Sequence, residues 1–283
     1  HLKLGISYPA AYAKAAESVL GSSADKATLS AQDLAKPNNT LGLHYLIALH
    51  KLQSNIKPLT ITRTKAGYHD KSPADAHIAS ATAIRNRLLQ DQRLESAAPY
   101  IPSYTLEILQ HEWKAGRAPV DWERFALPLY HSLLRSSSDE LLQIAEVTEG
   151  LEHRLLRSLA DMADDWTVEQ LIATLKTKRY TRTKLQRVLT RLLLGHRKDM
   201  LNRKVLSRGV PYLRVLGFTQ TGRSLLKRMK KLASVPVITN VGRQVDPLLR
   251  LDIHATGIYS LAYQQVHTRE ALRDYYEPPI FLE

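Results

Sequence analysis

The chain of 283 residues contains no cysteine. This absence excludes disulfide bonds, thiolate nucleophiles and cysteine-ligated zinc sites. Long apolar runs are also missing, since none reaches the length that spans a membrane, and no signal peptide is recognisable. We therefore expect a cytoplasmic protein that is not attached to a membrane.

What is present is ordinary for a globular protein, with 44% hydrophobic and 24% charged residues. The length predicts one or two domains with a large buried core. The sequence starts at His1 rather than Met and runs directly into a helix-like stretch. We therefore expect that the front of the protein is missing.

Positive charge is concentrated in one segment. Residues 176–231 contain eighteen Lys or Arg and a single acid, Asp199, which gives +17, whereas the whole chain carries +13 and the remainder is net negative. Such segregation is typical of a surface that binds a polyanion, because uncompensated repulsion between like charges needs a reason. The segment predicts a nucleic-acid-binding face.

The first hundred residues alternate between helix and strand patterns. Helical spacing or composition marks Ala10–Leu20 and Leu41–Leu52, with a turn at 36–39 between them, and β-branched residues predict a strand at Pro58–Arg63. A polar loop follows at 65–76, and Ser80 or Thr82 then caps a helix that runs to about Leu89. This order is typical of an α/β domain.

After Pro102 the pattern becomes mainly helical as far as Leu206. A strand at Tyr212–Phe218, a helix at Gly222–Leu232 and a second strand at Val235–Thr239 then predict a small parallel βαβ unit. We place the domain boundary between residues 98 and 99. The expected fold class is α/β, with domain 1–98 followed by a mainly helical domain 99–283.

The run Ser80-Ala81-Thr82-Ala83-Ile84-Arg85 places hydroxyl groups at a helix start and a guanidinium one turn later. The first turn of a helix has unpaired N–H groups and a favourable dipole for an anion, so this run predicts a phosphate site. The alternative is a plain helix cap with a surface arginine.

Several stretches together resemble one family. They include Lys36-Pro37-Asn38-Asn39-Thr40-Leu41-Gly42, Thr60–Arg63, Tyr68-His69-Asp70, Ile78–Arg85, Lys178–Arg182 and Pro211–Phe218. In this order they are similar to the bacterial tRNA(Met) cytidine acetate ligases of the nucleotidyltransferase superfamily, over nearly the whole chain. The resemblance implies that residues 1–98 are the C-terminal part of a Rossmann-like nucleotidyltransferase domain.

The resemblance also implies an activity: ATP-dependent acetylation of the wobble cytidine of elongator tRNA(Met) through an acetyl-adenylate. ATP, with its magnesium, acetate and this tRNA would be the ligands. Nucleotide contacts would fall on Asn38 or Asn39, Arg63, Ser80, Thr82 and Arg85. The superfamily's His-x-Gly-His loop is absent from the sequence, so no catalytic residue is assigned, and we expect the chain by itself to bind RNA but not to catalyse.

Two helices are expected to present the basic segment to tRNA. In Arg182–Leu194, leucine and valine form a buried stripe opposite the cations, and Gly222–Leu232 repeats the arrangement, with Leu225, Leu226, Met229 and Leu232 inward. Tyr180 and Tyr212 would either stack on unpaired bases or pack in the core. The expected tRNA-binding cations are Lys178, Arg179, Arg182, Lys184, Arg187, Arg191, Lys227, Lys230 and Lys231.

Two histidine patterns are weaker. His69 and Asp70 are adjacent, and adjacent side chains diverge, so we expect no catalytic pair there. His44 and His50 do not share a helix face, so no metal site is expected. Two other functions stay open: a non-catalytic RNA-binding module, and an adenylyltransferase for a small metabolite, which would leave the basic segment unused.

Overall fold

The computed structural model describes residues 8–20, 34, 36–61, 72–73, 75–161, 166–177, 179–242 and 245–282. Arg63, Tyr68–Asp70 and Lys178 lie outside the described residues. The chain divides into two compact units, 1–65 and 66–283. The boundary that we place after residue 98 falls inside the second unit and stays a prediction.

The first unit contains two helices, α1 (Tyr8–Leu20) and α2 (Pro37–Lys51), which confirms both expected helices. Ala11 and Ala13 of α1 are buried. The Thr40 hydroxyl donates to the Leu34 carbonyl at 2.7 Å, and so fixes the start of α2.

Two predictions for this unit are wrong. Residues 37–39 form the first turn of α2 rather than a separate turn, because Pro37 at the first helical position has the right φ and needs no N–H partner there. Residues 58–61 of the expected strand have no regular structure and are exposed. β-Branched residues favour a strand only where a neighbouring strand pairs with them, and the described part of the first unit offers none.

The second unit is mainly helical. Its helices are α3 (Ala81–Asp91), α4 (Ser103–Lys114), α5 (Ala126–Arg135), α6 (Ser138–Gln143), α7 (Leu151–Asp161), α8 (Val168–Leu175), α9 (Arg182–Leu193), α10 (Arg203–Leu206), α11 (Gln220–Leu232), α12 (Pro247–Ser260), α13 (Thr268–Ala271) and α14 (Arg273–Tyr276). Short 3₁₀ turns occupy Leu94–Ser96, Ala98–Tyr100 and Trp122–Phe125.

The core of this unit lies between α5, α6, α7, α8 and α9. The predicted stripe of α9 is buried there, and it packs with apolar positions of α7 and α8 spaced three and four residues apart. The buried α9 residues are Leu185, Val188, Leu189 and Leu192. This burial fixes which face of α9 reaches the surface, and therefore where its cations lie.

Four short strands form two parallel pairs. β1 (Leu213–Arg214) pairs with β3 (Val237–Ile238), and α11 lies between them in the chain, so the expected parallel βαβ unit is confirmed. The expected single strand at 212–218 is in fact two strands. β2 (Gly217–Thr219) pairs instead with β4 (Ile280–Leu282), in the register Phe218 opposite Phe281.

Within the described ranges, every helix is too short or too polar to cross a membrane.

Candidate functional site

The start of α3 is held by two acceptors. The Asp75 carboxylate accepts the backbone N–H groups of His77 and Ile78 at 2.9 and 2.8 Å. The Ser80 hydroxyl accepts the N–H of Ala83 at 3.0 Å, which makes Ser80, not Thr82, the N-cap. Ser80 is only 2% exposed, so its hydroxyl caps the helix from the buried side.

Thr82 and Arg85 face open space. Both line a cavity of about 890 Å³ in the second unit, together with Asn86 and Leu89 of the same helix. These four positions follow the i, i+3, i+4, i+7 spacing of one helix face. The structure therefore brings together two of the expected phosphate-binding residues, at the positive end of the helix dipole.

The other walls of the cavity come from the Trp122–Phe125 turn, α8, α9 and α12. Aromatic rings follow one another there: Trp122 and Phe125 lie 6.3 Å apart between centroids, and Phe125 and Tyr259 lie 6.1 Å apart. The remaining lining residues are Val120, Asp121, Glu123, Glu169, Arg182, Gln186, Thr190, Leu193, Leu194, Ala255 and Ile258.

The carboxylates of the cavity are engaged in local bonds. Glu123 accepts the N–H groups of Val168 and Glu169 at 2.8 and 3.0 Å, at the start of α8. The Glu169 carboxylate accepts hydrogen bonds from both terminal nitrogens of Arg182, each at 2.6 Å. This hydrogen-bonded pairing lowers the pKa of Glu169 and raises that of Arg182. Arg182 therefore lines the cavity, but its charge is already neutralised by Glu169.

The expected nucleotide contacts of the first unit are less defined. Asn38 and Asn39 are exposed in the first turn of α2, and the side chain of Lys36 does not cap this helix. Arg63 lies outside the described residues. A role for these three residues stays a prediction.

Four of the nine expected RNA-binding cations, Arg182 among them, are paired with acids from outside the basic segment. Arg179 contacts Glu149 at 2.6 Å, Arg187 contacts Glu146 at 2.9 Å, and Arg191 lies 3.8 Å from Glu146. Lys184 lies over the Tyr180 ring, 4.8 Å from its centroid. The charge on this side of α9 is therefore partly neutralised by the fold.

The cations of α11 are different. Lys227, Lys230 and Lys231 are exposed, and Lys230 donates to the Thr239 hydroxyl at 3.3 Å. No acid among the described residues pairs with Arg223, Lys227, Arg228, Lys230 or Lys231. We call these five residues the α11 cation group. Among the expected tRNA-binding cations, those of this group keep a charge that no described acid neutralises.

Tyr180 is a core residue. It is 4% exposed, and its hydroxyl donates to the carbonyls of Thr148 and Glu149 at 3.3 and 3.0 Å. The base-stacking interpretation is wrong for this residue. Tyr212 donates a hydrogen bond to the Asp252 carboxylate. Burial, and to a lesser extent this hydrogen bond, raises the pKa of the Tyr212 phenol. Both observations favour a packing role for Tyr212.

The expected inward face of α11 is only partly covered. Leu226 and Met229 are half-buried, but Leu225 is 55% and Leu232 is 74% exposed. The prediction is wrong for those two residues, because the short strands that α11 packs against leave its outer edge open.

The comparisons with known proteins agree with this geometry. A family model for the HIGH nucleotidyl transferases matches residues 1–274. The tRNA(Met) cytidine acetate ligase of Lysinibacillus sphaericus is 37% identical over 281 residues, which are 99% of this chain and 67% of that protein. The chain belongs to the tRNA(Met) cytidine acetate ligase family. This confirms the resemblance that the motifs predict.

Solved structures of the family have the same fold. Thermotoga maritima TmcAL in its apo form matches 99% of this chain and 68% of its own, with a TM-score of 0.83 and 30% identity. The same protein bound with α-thio ATP matches with a TM-score of 0.81. The chain thus spans about two thirds of the length of the relatives it matches.

Sequence reasoning missed most of the cavity. Trp122, Gln186 and Tyr259 come from segments far apart in the sequence, and no motif joins them. One sequence signal could have located the Trp122–Phe125 turn: Asp121 directly precedes it, and its carboxylate caps the turn by accepting the Arg124 N–H at 3.2 Å. No sequence signal marks Gln186 as a cavity residue.

Proposed function

We propose that this protein acts as an ATP-dependent acetate ligase that forms N4-acetylcytidine at the wobble position of elongator tRNA(Met). The observation that carries the proposal is the relationship to tRNA(Met) cytidine acetate ligases over 99% of the chain. Because its substrates are ATP and tRNA, we place its action in the cytoplasm.

The chemistry has two steps. A carboxylate oxygen of acetate attacks the α-phosphorus of ATP, and the bond to pyrophosphate breaks to give acetyl-adenylate. The N4 amine of cytidine then attacks the acetyl carbonyl, the bond to AMP breaks, and the amine loses a proton. Activation is needed because acetate is a poor acyl donor and the cytosine amine is conjugated with its ring.

The start of α3 suits the first step. Ser80 fixes the helix terminus, and Thr82 and Arg85 present a hydroxyl and a guanidinium beside the free N–H groups of the first turn. These groups would hold the α-phosphate and stabilise the charge that develops on it. ATP would bring magnesium with it.

The α11 cation group suits the RNA. Five exposed or partly exposed cations without an acidic partner among the described residues would track the phosphates of a tRNA arm. In α9, where acids compensate the arginines, the contribution to RNA binding would be smaller. The expected contacts of Arg179, Arg187 and Arg191 are therefore weaker parts of the proposal.

The test is incubation of the protein with ATP, acetate and elongator tRNA(Met), followed by mass spectrometry of the nucleosides. The proposal predicts N4-acetylcytidine that depends on both ATP and acetate. Its formation would overturn the expectation, based on the missing His-x-Gly-His sequence, that the chain by itself does not catalyse. Acetylation without ATP, or of an unrelated tRNA to the same extent, would contradict the proposal.

One observation favours a second function, a non-catalytic RNA-binding module. The 283 residues contain no His-x-Gly-His sequence, which is the signature of the superfamily's catalytic loop. Tight, salt-dependent binding of tRNA without any acetylated product would favour this alternative.

A further inference from the structure

We propose that the 890 Å³ cavity beside Arg85 is the site of the target base, and that it holds a cytosine swung out of its RNA loop. This inference rests on the proposed function and deepens it, because it places the second substrate. A base that reacts at an exocyclic amine must leave the stack to reach the reagent, and single-stranded loops allow this at low energetic cost.

The charge of the cavity selects against a phosphate in its interior. Three carboxylates line it, those of Asp121, Glu123 and Glu169, against two guanidinium groups. Arg182 is already bound through both nitrogens to Glu169, which leaves Arg85 as the one lining cation without an acidic partner among the described residues. Because Glu169 and Arg182 compensate each other, the interior keeps two carboxylates, those of Asp121 and Glu123, with no paired cation among the described residues. They repel any phosphate beyond the one that Thr82 and Arg85 would hold at the start of α3, whereas a neutral heterocycle is not repelled.

The aromatic wall suits a flat ring. Trp122, Phe125 and Tyr259 follow one another at centroid distances of about 6 Å, and the Tyr259 ring is about half exposed. Stacking of a base on such rings stabilises binding by ~1–3 kcal/mol and does not require a particular sequence. This wall therefore provides affinity for a base, but not the choice of cytosine.

Two amides provide that choice. Asn86 of α3 and Gln186 of α9 both face the cavity, and neither side chain has a hydrogen-bond partner among the described residues. An amide both donates and accepts, so it can match the N4 donor and the N3 and O2 acceptors of cytosine. Uracil reverses the first two of these groups.

The position of the cavity suits transfer. Asn86 lies one residue after Arg85 and on the same helix face as Thr82. A base bound to Asn86 would therefore lie within one helical turn of the phosphate site, where the acetyl group is activated. The acetyl group would therefore not have to move between two distant sites.

The experiment uses an anticodon-arm hairpin with 5-iodocytidine at the target position, irradiated in complex with the protein. We expect cross-links to Trp122 or Tyr259, identified by peptide mass spectrometry. The control hairpin carries 5-iodocytidine elsewhere in the loop. Cross-links confined to the α11 cation group would contradict the base site.

A second measurement compares hairpins with cytidine or uridine at the target position. Gln186→Leu should reduce the preference for cytidine by about tenfold, while Gln170→Leu, an exposed glutamine on α8 outside the cavity, should leave it unchanged. Equal affinity of the unaltered protein for both hairpins would overturn the base site alone. Failure to bind either hairpin would overturn the proposed function and the base site with it.

Discussion

At the scale of single residues, the two hydroxyl groups at the start of α3, those of Ser80 and Thr82, have different roles. The sequence left Ser80 and Thr82 as equal candidates for the cap. The structure assigns the cap to Ser80, which is buried, and turns Thr82 toward the cavity. The sequence could predict the helix start but not the direction of each hydroxyl, because that direction depends on burial by residues distant in the chain.

Ser80→Ala removes the bond from the Ala83 N–H. We expect the free energy of unfolding to fall by ~1 kcal/mol, measured by urea denaturation, together with weaker ATP binding. The matched control is Thr167→Ala, which removes the cap of α8 through its bond to the Gln170 N–H at 3.1 Å. That variant should lose similar stability with unchanged ATP affinity, and an equal loss of ATP affinity in both would contradict a local role for Ser80.

At the scale of elements, α9 and α11 look alike in sequence and differ in the structure. Both are amphipathic and basic, but Glu146, Glu149 and Glu169 approach the arginines at and beside α9 from other segments. A count of charge along the sequence cannot show such partners, because their separation in the chain ranges from 13 to 41 residues for the hydrogen-bonded pairs.

We therefore expect the two helices to respond differently to removal of charge. Lys227→Ala with Lys231→Ala should weaken tRNA binding and reduce the slope of log affinity against log salt by ~1–2. Arg179→Ala with Arg187→Ala should change this slope less, since these arginines already face acids. The measurement is filter binding across a salt series, and equal slopes for the two double variants would contradict the distinction.

The C-terminal helices are tied to α4 by ion pairs. Arg117, which follows α4, donates to Glu112 at 2.7 and 2.6 Å and lies 3.3 Å from Glu270 of α13. The hydrogen bond from Arg117 lowers the pKa of Glu112 from 4.5 to about 2. A carboxyl whose pKa is lowered by folding stabilises the protein above its unfolded pKa, and this contribution is lost as the pH falls toward the folded pKa.

Glu112→Gln removes this contribution. At neutral pH the variant should be less stable than the unaltered protein. The difference should shrink as the pH falls below 4.5 toward about 2, because the native carboxyl then also becomes neutral. Urea denaturation across this pH range is the measurement, and a difference that grows on acidification would contradict the pairing.

At the scale of the whole molecule, local patterns predicted more than pairings did. Helices with a clear apolar stripe, such as α9, lie where the sequence predicts them. The pairing of β2 with β4 was missed, because the partners are about sixty residues apart in the chain and each is only three residues long. Residues 58–61 of the strand expected at Pro58–Arg63 have no regular structure, because propensity alone does not supply a neighbouring strand.

The same reason explains the site. The phosphate motif is local and was readable, whereas the cavity beside it is built from α3, α8, α9, α12 and the Trp122–Phe125 turn. Its existence depends on the packing of elements that are distant in sequence. A motif can therefore predict the anion site, but only the fold shows that Thr82 and Arg85 open onto a cavity lined with aromatic rings.

The central claim is that this chain carries separate sites for ATP and tRNA. The most direct test measures both affinities for two variants, Arg85→Ala and the pair Lys227→Ala with Lys231→Ala. The first should lose ATP binding by about tenfold or more, as expected for a charge-assisted bond to phosphate, and keep its tRNA affinity. The second should show the reverse. Loss of both ligands together in either variant, with the protein still folded, would contradict the account.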